Sequence, residues 1–500
     1  MLRSTEVAWR AMTGKLLVGC AGLSLLSPPA PAQSSRGDSS ATYRVRVDEP
    51  QQIIKGLGFE IQSDSIGSGN AGMPEEVAAV PHDLTPSERQ RFYTQMVHGF
   101  RYTRLAMGLY LRGNDAEKKH IIERYAGQMD DLRTMQEVSG IEGFDVEYWS
   151  PAPYWKKNKS YYGGTIANTD PEFVDQFTDA LVDDLRYLNA HGLKVAMWGL
   201  QNEPVIDLSK KANTEGLSAG KAQSYATCYY SPRDYATVLK AAIPKVRSLL
   251  PDVQVHAPSL DGQSGQFAAE IRKDPALLKG VDAWSWHAIG RDANEQIDLQ
   301  KHFMQDADGK PVYQNEFEYQ PWGGTKMDAH FMNTGQSIMN WMVFENSPTW
   351  FWLHALKPVT NMEATGYALG FWRPEGEVKN NLRPDLPAGH WEFNPSNWNA
   401  IAGFLKYLAW DSTRLTVDES IVEHDQRILV WRTKSGKLGI ALSNRGDAPF
   451  TFKISGVRKA KLIGHRYTLA AIDQPLGTKL GVPQLELTVQ PQSFEFWIER

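Results

Sequence analysis

Trp198-Gly199-Leu200-Gln201-Asn202-Glu203-Pro204 closes an apolar run that begins at Lys194. A short apolar run set between amphipathic segments of helical period reads as a strand of a parallel sheet, buried on both faces. The runs Gly56–Ile61, Arg101–Met107, Phe144–Trp149, Val253–Ala257, Ala283–His287, Val312–Glu316 and Thr349–His354 have the same character. Eight such strands alternating with helices predict an α/β fold, a (β/α)8 barrel. Helix starts are marked by Thr85-Pro86-Ser87-Glu88 and Ser231-Pro232-Arg233-Asp234, each a hydroxyl cap before proline with an acid three residues on. Asp170-Pro171 opens another helix, whose Phe173, Phe177, Leu181, Leu185 and Leu188 share one face and whose end is marked by Gly192.

The pattern changes near Ala409. Arg427–Thr433, Leu438–Ser443, Phe450–Ile454 and Phe494–Ile498 alternate with period two between Gly, Asn and Asp turns, and no helix-length pattern remains. This predicts a β-sandwich side domain of roughly ninety residues, joined by a strand at Tyr43–Val47 that precedes the barrel. The expected division is a signal segment over 1–32, a flexible lead-in over 33–42, an N-terminal sandwich strand over 43–55, the barrel over 56–408 and the sandwich over 409–500.

The leading segment carries Arg3, Arg10 and Lys15, an apolar run from Leu16 to Leu26, and Ala30-Pro31-Ala32, which predicts export with cleavage near Ala32-Gln33. The destination expected is secreted or periplasmic. The run is too short to span a bilayer, so no integral membrane segment is expected. Leu17-Val18-Gly19-Cys20 also fits a lipoprotein box, but Lys15 leaves little apolar stretch before Cys20. Removing the segment leaves Cys228 as the one cysteine and takes the formal charge from −5 to about −7. That balance argues against nucleic acid as a partner. A monomer or simple homo-oligomer is expected. The chain holds 16 Trp and 19 Tyr, flat side chains of the kind on which sugar rings stack.

Strand ends of such a barrel open onto its active-site face, so Glu203 is expected to point into a cleft. A desolvated carboxyl there suits a general acid, and Asn202 beside it suits a hydrogen bond to a sugar hydroxyl. The second carboxylate is sought at the end of a later strand, in Val312-Tyr313-Gln314-Asn315-Glu316-Phe317-Glu318. Glu316 follows the apolar run directly; Glu318 is the alternative, because period two puts both on one side. Strands four and seven face each other across the mouth. Carboxyls there, about 5 Å apart, suit a retaining double displacement, Glu316 attacking the anomeric carbon while Glu203 protonates the leaving oxygen. Neither metal nor cofactor is needed for that chemistry.

These motifs, in order, resemble glycoside hydrolase family 30 of the clan A barrels, from about Gly56 to the C-terminus. Ile54-Lys55-Gly56-Leu57-Gly58-Phe59 resembles the family's opening strand. Trp149-Ser150-Pro151-Ala152-Pro153-Tyr154-Trp155-Lys156-Lys157-Asn158 with Gly163-Gly164 resembles its stretch after strand three. Trp198–Pro204, His256–Gly262 and Trp286-His287 resemble the ends of strands four, five and six. Phe404-Leu405-Lys406-Tyr407 and Thr413-Arg414-Leu415 resemble the crossing into the side sandwich. The resemblance implies a retaining β-glycosidase using Glu203 and Glu316 on a carbohydrate substrate, with sugar-binding roles for Arg104, Trp155, Asn202, His287 and Trp352. Arg104 would also hold Glu316 ionised by charge pairing. Asp64 is a further candidate for sugar hydroxyls, or a helix cap. The chain departs from the family at Phe59-Glu60-Ile61-Gln62-Ser63-Asp64 and at Asn315-Glu316-Phe317-Glu318, and in a long aromatic segment from His354 to Trp398; long connections are often lids, and this one would decide between endo and exo action by closing one end of the cleft or leaving it open.

Two other readings compete. A metal-dependent barrel hydrolase would draw on His256, His287 and His354, but the chain has no His-x-His pair. A carbohydrate-binding protein without catalysis would keep the aromatics and has no need of paired carboxylates.

Overall fold

The computed structural model describes residues 39–500 except 62–81, 109–110, 116, 118, 206–225, 262–264, 296–306, 320–328, 360–366, 376–380, 382, 423 and 482–483. The signal segment with Cys20, the cleavage site and Asp64 therefore lie outside the described residues. Strand β1 spans Ser40–Ile54. Eight parallel strands then close a barrel: β2 Gly56–Glu60, β3 Tyr102–Met107, β4 Gly143–Tyr148, β5 Val195–Gly199, β6 Gln254–Asp261, β7 Ala283–His287, β8 Val312–Phe317 and β9 Thr349–Trp352. All eight coincide with the expected strands. They are legible because every residue of β2, β3, β4, β8 and β9 is buried, which demands unbroken runs rather than alternation.

The three sequence-marked helices form over Pro86–Arg91, Pro171–Ala190 and Pro232–Leu249. The Thr85 and Ser231 hydroxyls accept from the backbone N–H of Glu88 and Asp234, as their spacing predicts. Asp170 takes the cap position without a side-chain cap bond. Among the described residues no helix is long and apolar enough to cross a membrane.

Side-chain parity layers the barrel interior. Tyr102, Met197, Ala283, Tyr313 and Phe351 pack together as an apolar layer. Two residues farther along four of these strands come Arg104, Gly199, Ser285 and Asn315, and there the interior turns polar. Buried polar groups need partners, so this second layer is a hydrogen-bonded network rather than a packed plug.

The segment from His354 to Trp398 carries a three-stranded sheet of β10 Leu356–Pro358, β11 Gly370–Trp372 and β12 Trp391–Phe393. Trp372 and Trp391 are fully buried in it, so these aromatics serve packing. Helix Pro395–Tyr407 follows. The side domain holds β13 Ser412–Glu419, β14 Gln426–Arg432, β15 Leu438–Asn444, β16 Phe450–Ser455, β17 Lys461–Tyr467, β18 Gln474–Leu480, β19 Gln484–Val489 and β20 Ser493–Glu499. With β1 they make one nine-stranded sheet, ordered β18-β17-β20-β15-β14-β13-β1-β16-β19. Apolar side chains from strands across this order share one core, so the sheet curls on itself as a sandwich.

Strand β1 pairs antiparallel with β13 and parallel with β16, which ties the N-terminal strand into the sandwich. It begins at Ser40, inside the stretch expected to be a flexible lead-in. The reason is the partner strand: Ala41, Tyr43 and Val45 are buried at period two while Ser40–Arg44 run in register with Thr451–Ser455.

Candidate active site

Asn202 and Glu203 leave the end of β5 by bonding to the two neighbouring strands. The Asn202 N–H donates to Tyr148 O at 2.7 Å and the Glu203 N–H to Ser259 O at 3.0 Å. Glu203 has φ +44°, a left-handed conformation that costs a non-glycine residue and persists only where the surroundings impose it. Its carboxylate Oε1 lies 3.1 Å from His287 Nδ1, at the end of β7.

Glu316 arrives by a different device. Tyr313 and Asn315 face the interior, so simple alternation would aim Glu316 outward. The β7–β8 pairing shifts register between Trp286 and His287, setting His287 opposite Glu316. Such irregularities re-aim side chains beside active sites. Glu316 Oε2 accepts from Arg104 Nη1 and lies 3.7 Å from His287 Nε2. An oxygen of Glu203, an oxygen of Glu316 and a ring nitrogen of His287 all lie within 4.8 Å of one another.

Arg104 is fully buried and saturated with acceptors. Besides Glu316 it donates through Nε to Glu147 Oε2 at 3.1 Å, through Nη2 to Glu147 and to Asn202 Oδ1 at 2.7 Å, and through Nη1 to Glu60 Oε2 at 3.2 Å. Its charge also sits 4.3 Å from the Trp149 ring centroid. Burial would lower the guanidinium, but Glu147, Glu316 and Glu60 outweigh it and hold it raised. Burial pushes the Glu316 carboxyl above its ordinary value; His287 and Arg104 pull it down, and Glu203 pushes it up again. Burial would lower His287, but Glu316 and Glu203 keep its proton on to higher pH than a free imidazole.

The structure thus brings together Glu203, Glu316, Arg104, Asn202 and His287. No described hydrogen bond or ring contact joins Trp155 or Trp352 to these five. The Trp155 ring packs against Phe173 and Phe177 of helix Pro171–Ala190, at 5.8 and 5.5 Å. Trp352 is fully buried among Phe317, Trp350 and Tyr319, its indole N–H donating to His354 O at 2.8 Å. Glu318 turns to His354 Nδ1 at 2.6 Å and Lys357 Nζ at 3.2 Å, both buried. His256 bonds to Asp145 at 2.8 Å and to Ser285. Sequence reading missed Glu60 and Glu147. Their signal is an acid facing inward from an otherwise apolar barrel strand, as in Phe144-Asp145-Val146-Glu147.

Among the described residues, Glu203, His287 and Glu316 are the one group of three whose spacing could hold a metal ion. His256 and His354 do not join it. His287 turns a different ring nitrogen to each carboxylate, and Glu316 already has the Arg104 cation in contact. That donor set suits proton exchange between two acids better than a shared ion.

No family model matches the chain, and no curated protein matches it in sequence. Solved structures do match in fold. The catalytic domain of the family 30 xylanase C from Talaromyces cellulolyticus superposes with TM-score 0.65 at 12% identity, over 92% of this chain and 100% of that one. A conserved exported protein from Bacteroides fragilis gives 0.68 at 10% identity, over 91% and 100%. The endo-β1,6-glucanase BT3312 gives 0.63 at 13% identity, over 92% and 94%. The chain therefore has the barrel-and-sandwich fold of family 30 glycoside hydrolases.

Proposed function

We propose that the chain is a retaining β-glycosidase acting on a β-linked glycan or oligosaccharide. The observation that carries this is the Glu203–Glu316 pair, with oxygens within 4.8 Å at the ends of β5 and β8. Retaining enzymes hold their two carboxyls about 5–5.5 Å apart, whereas inverting ones leave room for a water between them. The fold neighbours that are xylanases and a β1,6-glucanase support the same reading.

Two carboxyls this close do not both ionise readily, so near neutral pH the pair keeps one proton. Arg104 contacts Glu316, which makes Glu316 the ionised member and leaves the proton to Glu203. A Glu316 oxygen attacks the anomeric carbon, the bond to the leaving oxygen breaks, and Glu203 supplies that oxygen with its proton. Glu203, now ionised, takes a proton from water as the water displaces Glu316 and restores the sugar hemiacetal. His287, hydrogen-bonded to Glu203 and close to Glu316, orients the acid through both half-reactions. Asn202, fixed by Arg104, stands beside the acid to meet a hydroxyl next to the reacting carbon.

A panel of 2-deoxy-2-fluoro-β-glycosyl fluorides tests this, with peptide mass spectrometry to find the labelled residue. The expected adduct is on Glu316. An adduct on Glu318, or hydrolysis with inversion, would overturn the assignment. We further propose export, with cleavage near Ala32-Gln33; N-terminal sequencing of the protein from culture medium or periplasm tests it.

A further inference from the structure

Glu147, on the third barrel strand, contacts neither Glu203 nor Glu316 in any described hydrogen bond, yet the network turns on it. Its Oε2 accepts from both Nε and Nη2 of Arg104, a forked pairing that fixes the plane of the guanidinium. The same oxygen lies 3.5 Å from Asn315 Nδ2, on the residue just before Glu316, and Asn315 is anchored in turn to Ser259 Oγ at 3.1 Å. The neighbouring strand makes room for it. A Cβ on Gly199, opposite Glu147 in the β4–β5 register, would stand 2.7 Å from Glu147 Oε1. His256 Cε1 would stand 2.6 Å from the same Cβ, so the strand that ends in Glu203 is cut back to glycine where Glu147 and His256 both press on it.

We infer that Glu147 is the positioning residue of the reaction centre: it locks Arg104 beneath Glu316 and draws off part of its charge, leaving Glu316 ionised but not over-stabilised. The inference rests on the double-displacement reading above. An arginine given wholly to the nucleophile would bind its negative charge tightly in the ground state and resist its transfer to carbon. Dividing the guanidinium among Glu147, Glu60 and Glu316 avoids this. The groups facing Glu316 are Arg104 from β3, His287 from β7 and Glu203 beyond β5. Glu60 on β2 and Glu147 on β4 act through Arg104, and the Asp145–His256 pair completes the buried charge around it.

The test compares the full-length protein with Glu147→Gln and Glu147→Asp. Carbon NMR of the Glu316 carboxyl, assigned by its loss in Glu316→Gln, gives a titration midpoint without any substrate. Glu147→Gln should move that midpoint down by roughly one pH unit, because Arg104 then faces Glu316 with less competition. The acidic limb of kcat/KM should move with it, and kcat should fall about 10²-fold at unchanged KM. Glu147→Asp keeps the charge and should return the midpoint toward wild type. A midpoint unchanged in Glu147→Gln, or an activity loss that only tracks the folded fraction, overturns the inference. If Glu147→Gln does not fold, Glu147→Asp decides on kcat alone, because it keeps the charge but draws the carboxylate back from the Arg104 fork by one methylene: a tenfold or greater loss of kcat at unchanged KM supports the inference, and an unchanged kcat overturns it. If no glycoside is turned over by the wild type, the functional reading fails while the NMR midpoints still judge the role of Glu147.

Discussion

Glu316 and Glu318 stand two residues apart on one stretch of chain, both buried, and the protein treats them in opposite ways. Glu318 contacts both His354 and Lys357. Burial would push its carboxyl up, but those two partners hold it below the ordinary range. Glu316 shares Arg104 with Glu147 and Glu60 and faces a second acid, and its carboxyl is pushed up. A carboxylate closed by its own partners is a structural strut. One that shares its cation and has another acid within reach is less tightly held, and its charge is free to pass to carbon.

The sharpest way to break this contrast is to neutralise each acid in turn. Glu316→Gln should lower kcat on an aryl β-glycoside by about 10⁴-fold or more, since no other group can form the covalent intermediate. Glu318→Gln, corrected for the folded fraction, should leave kcat within a few-fold. The reverse ranking would move the nucleophile to Glu318. Glu203→Gln should cost about 10²–10⁴-fold, the worth of general acid–base catalysis. Added azide should recover turnover of substrates with good leaving groups as a β-glycosyl azide, because the second step then needs no base. Recovery as the α-azide would point to an inverting enzyme.

Period two in Glu316-Phe317-Glu318 offers no choice between the two acids. The register shift opposite His287 decides it, and that shift is a property of strand pairing, which a single strand does not record. The eight barrel strands are legible because they are buried on both faces. In the sandwich, Gln474–Leu480 is almost wholly exposed and Lys461–Tyr467 slips register between Gly464 and His465, so neither shows clean alternation. Ser412–Glu419 is hidden by its mixed burial. Gln484–Val489 does alternate strictly and is the one missed strand that pattern alone supplies. Trp155 and Trp352 show the limit of residue type as a guide: an indole fits a sugar face and a core equally well. Glu60 and Glu147 show the converse. Acids inside a barrel strand are costly to bury, so their presence alone was a signal that a cation sits among them.

Glu318 should reveal itself in stability instead. Removing its charge takes from buried Lys357 its counter-ion among the described residues, a loss of about 3–5 kcal/mol in denaturant unfolding. The wild type should also weaken in acid in two overlapping stages. Burial holds the His354 imidazole down to about 4, so between about pH 6.5 and pH 4 the unfolded ring takes up a proton that the folded ring refuses. Glu318, with its folded value depressed, contributes stability that is complete above the unfolded carboxylate value near 4.3 and lost as pH falls through the folded value. An unfolding free energy flat from pH 7 to pH 4 would remove the strut from the comparison.

The smallest effect has the opposite sign. Glu316 has a folded value above the unfolded one, so at neutral pH its ionised form costs stability, and that cost disappears as pH falls below the unfolded value. Glu316→Gln should therefore melt above wild type at pH 7, with the gap closing as pH approaches 4. Arg104 does not lose its compensation in this variant, because Glu147 and Glu60 still accept from it. That separates this substitution from Glu318→Gln, where Lys357 loses its one carboxylate among the described contacts. Thermal unfolding of both variants across that pH range puts the two acids on one scale. A Glu316→Gln variant less stable than wild type at pH 7 would make Glu316 a second strut and erase the contrast with Glu318.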